Sequence, residues 1–236
     1  LHGNSGSDEL HGGADADTLS GGSGDDQLYG DDGNDIVEDY SGTNTLHGGA
    51  GDDEVRGSGS LFGDAGADTL TGAGVLDGGD GNDIITGEGS DTLIGGSGDD
   101  VITAYSQAFT QNSNVIEGGI GNDTLYGSFG NDEYRFNLGD GQDILTERRQ
   151  GEDYSNVDPS FDTLAFGPDV AQSDLLFERH GNDLLIAHTN GSDSVRVTNW
   201  YSGVTDHFKI NSIQFDDGSS LNLSEIEALT VNYGTA

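Results

Sequence analysis

A nine-residue repeat constrains this chain more than any other feature. The full units read GNSGSDELH from Gly3, GGADADTLS from Gly12, GGSGDDQLY from Gly21, GDDGNDIVE from Gly30 and GGAGDDEVR from Gly48. GDAGADTLT from Gly63, GGDGNDIIT from Gly78, GGSGDDVIT from Gly95 and GGIGNDTLY from Gly118 continue the phase, and GSFGNDEYR from Gly127 and LGDGQDILT from Leu138 close it. Degenerate or off-length units stand between them: DYSGTNTLH from Asp39, GSGSLF from Gly57, GAGVLD from Gly72, GEGSDTLI from Gly87 and the long stretch from Ala104 to Glu117. A fixed period sustained over about sixteen units requires stacked, near-identical coils, each too small to bury its own apolar residues.

Each unit is a six-residue Gly-rich turn ending in Asp, then three residues with an apolar centre. Glycine suits a tight turn because it adopts positive φ without strain. Three residues centred on one apolar side chain make a short strand with one inward position. The inward series is Leu10, Leu19, Leu28, Val37, Leu46, Val55, Leu61, Leu70, Leu76, Ile85, Leu93, Ile102, Ile116, Leu125, Tyr134 and Leu145.

The pattern G-G-x-G-x-D-x-U-x resembles that of the RTX (repeats-in-toxin) proteins. The resemblance implies an all-β fold: a right-handed parallel β-roll with two nonapeptides per coil, over residues 1–146, with calcium between vertically adjacent loops. It also implies the ligand set. One loop gives carbonyls two and four and its sixth-position Asp, and the loop one coil later gives carbonyls one and three and its Asp. The carbonyls so implied belong to Gly30, Asp32 and Gly33, to Gly48, Gly49, Ala50 and Gly51, to Gly63, Ala65 and Gly66, and to Gly78, Gly79, Asp80 and Gly81. Further along they belong to Gly95, Gly96, Ser97 and Gly98, to Gly118, Gly119, Ile120 and Gly121, and to Gly139 and Gly141. Calcium takes six to eight hard oxygen ligands, which carbonyls and carboxylates supply.

If two units make one coil, alternate units stack in two columns. The even column keeps its sixth-position carboxylate throughout: Asp17, Asp35, Asp53, Asp68, Asp83, Asp100, Asp123 and Asp143. The odd column reads Asp8, Asp26 and Asn44, lacks the residue in both six-residue units, then reads Asp91, Asn114 and Asp132. The expectation is an unbroken ladder of about seven ions on one side, with one or two at each end of the other, about 7 to 10 in all. A merely solvating acidic face would need neither the glycines nor the nine-residue phase.

Composition agrees once the repeat is known. With 44 Asp plus Glu against 7 Lys plus Arg, the net charge of -37 repels nucleic-acid phosphates and anionic membranes. Without the repeat, such a composition leans towards a disordered acidic chain. The absence of Cys removes disulfides, thiolate sites and cysteine nucleophiles. No apolar run is long enough to span a membrane, and no cleavable signal stands at the start. Leu1-His2 matches the end of a preceding unit, which predicts a longer parent protein.

Residues 147–236 are expected to form a second domain. Short apolar runs are separated by turn-like His180-Gly181-Asn182-Asp183 and Asp216-Asp217-Gly218-Ser219, and Ser224 is the expected N-cap of a final helix with Glu225 and Glu227 in its first turn. GDGQDIL from Gly139, FERHGNDLLI from Phe177, VTNWY from Val197 and INSIQFDDG from Ile210 resemble the haemolysin-type calcium-binding-related region of large toxins such as adenylate cyclase toxin. The resemblance implies a cap and folding nucleus for the roll, and Trp200 is expected to pack inside it.

No catalytic signature emerges. His2, His11 and His47 take outward ninth positions, with His11 and His47 two coils apart, roughly 10 Å, too far to share one zinc. No HExxH, GxSxG or P-loop occurs. The expected function is a non-enzymatic, monomeric calcium-binding module of a larger secreted or cell-surface protein. By resemblance it is exported by a type I secretion apparatus and folds in external calcium. A different reading is a glycan-binding module of an adhesin or polysaccharide-active enzyme, with the calcium-poor face or the 104–114 segment as its surface. A polyanionic glycan would then need cation bridging, because Arg56 is the only basic residue before Arg135.

Overall fold

The computed structural model describes residues 1–105, 112–147, 161–202 and 209–232. Its described residues are nearly all-β, with 5% helical, and form a parallel β-solenoid. It divides into two compact units, Leu1–Tyr105 and Ser106–Ala236.

In the first unit every strand pairs in parallel with the strand two repeats later, as a two-repeat coil demands. Leu19 lies opposite Val37, Val37 opposite Val55, Val55 opposite Leu70, Leu70 opposite Ile85 and Ile85 opposite Ile102. The odd series runs Leu10, Leu28, Leu46, Leu61, Leu76 and Leu93 in the same way. From Leu19 to Ile102 these side chains have no solvent exposure and form a core one residue deep on each side. One apolar residue per repeat thus suffices, because each is covered by its counterparts in the coils above and below.

The strands are longer than three residues. Thr18–Ser23 and Gln27–Asp32 show that pairing runs on through the first half of each turn. The registers His11 with Tyr29 and Ala14 with Asp32 show why: turn backbones stack as closely as strand backbones. Where a unit has only six residues the full turn is lost, and neighbouring strands fuse into Glu54–Ala65 and Thr69–Asp80; the degenerate nine-residue unit from Asp39 is likewise bridged by one strand, Ile36–Ala50. A register shift between Asp39 and Asn44 absorbs the first change of length.

In the second unit parallel stacking extends beyond residue 146. Strand Glu133–Phe136 pairs with Thr163–Phe166, which pairs with Ser212–Phe215, and Gln142–Thr146 pairs with Ser194–Val197. Antiparallel elements attach to these. Leu175–His180 and Asp183–His188 form a hairpin around Gly181-Asn182, with Gly181 at φ 66, and Ser212–Phe215 pairs with Ser220–Asn222. The final helix, Leu223–Leu229, is capped by Asn222 rather than Ser224. Asn222 Oδ1 accepts the N–H groups of Ser224 and Glu225, and Glu225 Oε2 accepts that of Asn222, a capping box that Ser224 is placed too late to make. Trp200 is 2% exposed. No helix among the described residues is long and apolar enough to cross a membrane.

The one-residue core predicts a sharp contrast. Leu70→Ala should cost about 2–5 kcal/mol, whereas Ile84→Ala, at an outward position 52% exposed, should change stability by no more than about 0.5 kcal/mol. Urea unfolding of the two variants measures the difference.

Candidate metal centre

The sixth-position aspartates stack into a column in which each carboxylate reaches back one coil. The backbone N–H of Asp17 donates to Asp35 Oδ1, that of Asp35 to Asp53, that of Asp53 to Asp68, that of Asp68 to Asp83 and that of Asp83 to Asp100, at 2.7–2.8 Å. In the second unit the N–H of Asp123 donates to Asp143 Oδ1 at 2.9 Å. These bonds satisfy one oxygen of each pair. The other is left: Oδ2 of Asp8, Asp26, Asp35, Asp53, Asp68 and Asp83 is buried without a hydrogen-bond partner among the described residues.

What surrounds that oxygen fits a cation. A Cβ added to Gly30 would collide with Asp35 Oδ2 and with the Gly48 carbonyl oxygen. The same trio recurs at Gly48 with Asp53 and Gly63, at Gly63 with Asp68 and Gly78, and at Gly78 with Asp83 and Gly95. An orphaned carboxylate oxygen and a carbonyl oxygen from the next coil thus flank each first-position glycine, and only the missing side chain keeps the space between them open. These are two of the oxygen types that calcium takes. The third-position carbonyls of Ala50, Ala65, Asp80 and Ser97 accept the N–H groups of Gly33, Gly51, Gly66 and Gly81 at 2.7–2.9 Å. Each retains a second lone pair. The loops are packed so tightly that a Cβ on Gly51, at φ 135, would strike the Gly33 carbonyl. The same fourth-position approach holds from Gly66 to Gly51, Gly81 to Gly66, Gly98 to Gly81 and Gly141 to Gly121. Gly49, Gly79, Gly96, Gly119 and Gly139 all have positive φ at the second position. Ile120 is exposed, and the N–H of Gly121 donates to Asp140 in the loop below. Gly118 faces Asp123 Oδ2.

The odd column differs. In the first unit the N–H of Asp8 donates to Asp26 and that of Asp26 to Asn44, after which Gly59 and Gly74 occupy the stacked positions. Asp91 keeps the bond to the coil before it, its Oδ1 accepting the N–H of Gly74, but its Oδ2 is taken by its own turn, accepting the N–H of Gly89. In the second unit the series is longer than the repeat suggests, running Asn114, Asp132, Asp162 and Asn211 through the same N–H to side-chain bonds. Asp162 and Asn211 escaped the sequence reading because they stand outside the nine-residue phase. The endings Asp162-Thr163-Leu164 and Asn211-Ser212-Ile213 nevertheless match Asp68-Thr69-Leu70 and were a usable signal. Asp39 was also missed. It replaces a first-position glycine, is 4% exposed, and accepts the N–H groups of Gly22 and Ser41. A Cβ on Gly21 would meet both its Oδ2 and that of Asp26.

Burial without an adjacent cation raises the carboxyl pKa values. Desolvation is the leading cause at Asp68, pushed up to about 7, at Asp143, to about 8, and at Asp140, to about 6, and it also raises Asp53, Asp83, Asp39 and Asp132. On the outer face His11, Tyr29, His47 and Phe62 stack at 4.6–5.2 Å between ring centroids. Tyr29 stands between the two histidines, which turn instead to Asp31 and Asp64 at 3.1 and 2.9 Å. Of the 104–114 segment, residues 106–111 lie outside the described residues.

The raised values set a pH dependence for the ion-free chain. A folded carboxyl that holds its proton above the unfolded value of 3.8 contributes stability at low pH that is lost as pH rises through the folded pKa. Circular dichroism in chelator should therefore show more β structure at pH 5 than at pH 8, with the loss falling between about 6 and 8. A flat profile would contradict the buried ladder.

Comparison with known proteins gives a family. The RTX calcium-binding nonapeptide repeat (4 copies) matches residues 2–37, 29–60, 38–70, 60–74, 71–102, 85–108 and 110–145. The haemolysin-type calcium binding protein related domain matches 183–225. No curated protein matches the sequence. Among solved structures, the extracellular lipase LipA from Serratia marcescens aligns at 20% identity with a TM-score of 0.38, covering 97% of this chain. The chain spans 40% of the length of that lipase chain.

Proposed function

The chain belongs to the RTX calcium-binding nonapeptide repeat proteins, and from that premise we propose that it is a module whose folding is driven by calcium bound along its two columns of loops. RTX repeats bind calcium and mark a module of a secreted protein, typically bacterial. The observation that carries the reading is the row of buried Oδ2 atoms without partners among the described residues at Asp35, Asp53, Asp68 and Asp83, each facing a carbonyl of the next coil across a glycine.

In this reading the even column, Asp17, Asp35, Asp53, Asp68, Asp83, Asp100, Asp123 and Asp143, holds about seven ions. Carbonyls of the first to fourth turn positions complete each shell. The odd column holds one or two at each end, through Asp8 and Asp26 and through Asp132, whereas Asp91 is committed to its own turn. Bound calcium supplies positive charge and oxygen coordination that neutralise the buried column. The residues do the rest: N–H to Oδ1 bonds fix the orientation of each carboxylate, and the stacked carbonyls hold the spacing. Because the chain's carboxylates are unmatched without the ion, binding free energy becomes folding free energy. Extracellular sites have affinities near 10⁻⁴ to 10⁻³ M, on the order of external calcium, which suits a chain that stays unfolded during type I export and folds outside. Residues 147–236 serve as the cap and nucleus, since an uncovered end would leave unpaired backbone groups.

Two measurements test this. Calcium titration of the chelated chain should restore β structure cooperatively in the millimolar range, and an unchanged spectrum would refute the coupling. Asp68→Asn should raise the calcium midpoint by about tenfold, equivalent to ~1.4 kcal/mol, while Asp91→Asn should shift it far less. Equal shifts would remove the distinction between the columns.

A further inference from the structure

The outward residues of three adjacent coils form a row that the calcium loops do not use. Tyr29 lies opposite His47 and His47 opposite Phe62, with Gln27, Thr45 and Ser60 beside them in the same register. With histidine neutral, none of the six is charged, in a chain of net charge -37. Together with His11 one coil earlier, the rings stack within 9–12° of parallel at 4.6–5.2 Å between centroids. That spacing is the strand spacing itself, so the rings cover one another's faces and offer only their edges. The histidine edges are fixed by carboxylates in an unusual place. Asp31 and Asp64 stand at φ 73 and 72 in second turn positions, where Gly13, Gly49 and Gly79 stand in the stacked coils. Left-handed backbone disfavours a side chain there. Each carboxylate nevertheless meets the histidine of the coil before, His11 Nδ1 to Asp31 Oδ2 at 3.1 Å and His47 Nδ1 to Asp64 Oδ2 at 2.9 Å. A carboxylate only accepts, so His47 Nδ1 carries the proton and its Nε2 is left as an acceptor. The Tyr29 hydroxyl donates to Gln27 Oε1 at 3.2 Å, which leaves Tyr29 Oη an acceptor and the Gln27 amide N–H groups as donors.

From this row we propose that the face bearing Tyr29, His47 and Phe62 binds a neutral linear polysaccharide. The ligand must both donate and accept hydrogen bonds, because the row offers acceptors at His47 and Tyr29, a donor at Gln27 and hydroxyls at Thr45 and Ser60. Sugar hydroxyls do both. It must also repeat, since the row recurs once per coil at about 4.8 Å. Charge narrows the class further. A polyanion is repelled by the chain as a whole, and a polycation finds the carboxylates of this face, Asp31 and Asp64, already engaged by the histidines. An apolar protein surface would need the ring faces, which neighbouring rings cover. The proposal goes beyond the calcium reading and needs from it only a folded roll. All of its residues lie in the unit Leu1–Tyr105. Asp64 acts as a positioning residue: it turns His47 so that Nε2 is the nitrogen left for the ligand.

The test is affinity gel electrophoresis of the full chain in calcium, with hydroxyethylcellulose, galactomannan and laminarin as neutral polymers and alginate as a polyanion. At least one neutral polymer should retard the wild-type chain, and alginate should not. Tyr29→Phe and His47→Phe keep a ring at each place in the stack and remove only its polar edge. Each should weaken binding about tenfold, the loss of one hydrogen bond, with circular dichroism in calcium as in wild type. Asp64→Gly leaves all four rings in place and restores the residue found at Gly49 and Gly79. It should lose as much as His47→Phe, with no further loss when the two are combined, and additive losses would overturn its positioning role. No retardation by any neutral polymer overturns the proposal, as does unchanged binding in both Phe variants. An imidazole oriented by a carboxylate also suits a metal, so retardation only with added zinc, or by alginate alone, overturns it too.

Discussion

The structure depends on a repulsion. Adjacent sixth-position carboxylates stack about one strand spacing apart, near 4.8 Å. Two unit charges at that distance repel by roughly 3.5 kcal/mol at an effective dielectric constant of 20. Backbone N–H groups relieve part of it, by binding one oxygen of each aspartate from Asp35 to Asp100. Among the described residues the second oxygen of Asp35, Asp53, Asp68 and Asp83 has no such relief. A proton or a cation must supply it, and the raised carboxyl pKa values are the protonic answer to a demand that a bound cation would also meet. The apolar core is too thin to override this, since it offers one side chain per repeat.

The two columns respond to this constraint in opposite ways. The even column keeps the charge and the glycine beside it, so each orphaned oxygen faces open space and a carbonyl. In the odd column the charge is dropped, as at Gly59 and Gly74, or its second oxygen is used by the protein itself, as at Asp91 with the N–H of Gly89. Where the odd column gains charge it does so at the first turn position: Asp39 beside Asp26, and Glu147 beside Asp132. In both cases a side chain enters the space that glycine leaves empty elsewhere.

Much of this was legible in the sequence because the repeat fixes both neighbours and facing. The inward residues from Leu19 to Ile102 follow from the repeat, and the uneven columns follow from it once the two-unit coil that the RTX resemblance implies is taken as given. Length of strand did not follow, because turn backbones stack as closely as strands and extend the pairing into the turn. Nor did the cap of the last helix. Asn222 and Ser224 are both good caps, and only the reach of Glu225 back to Asn222 decides between them. Asp162 and Asn211 lay beyond the repeat, yet their places in the odd column are set by the same three-residue ending. Glu147 had no sequence signal, since its burial beside Asp132 and Asp162 depends on which glycine it lies beneath.

The N–H to carboxylate bonds also give the stack a polarity. In every case the earlier coil donates and the later coil accepts, from Asp17 to Asp100 and again from Asp123 to Asp143. An aspartate therefore orders the turn that precedes it in the chain, not the turn that follows. Within each unit, removing the carboxylate of one coil therefore strips a hydrogen bond from the backbone of the coil before it and from no later one.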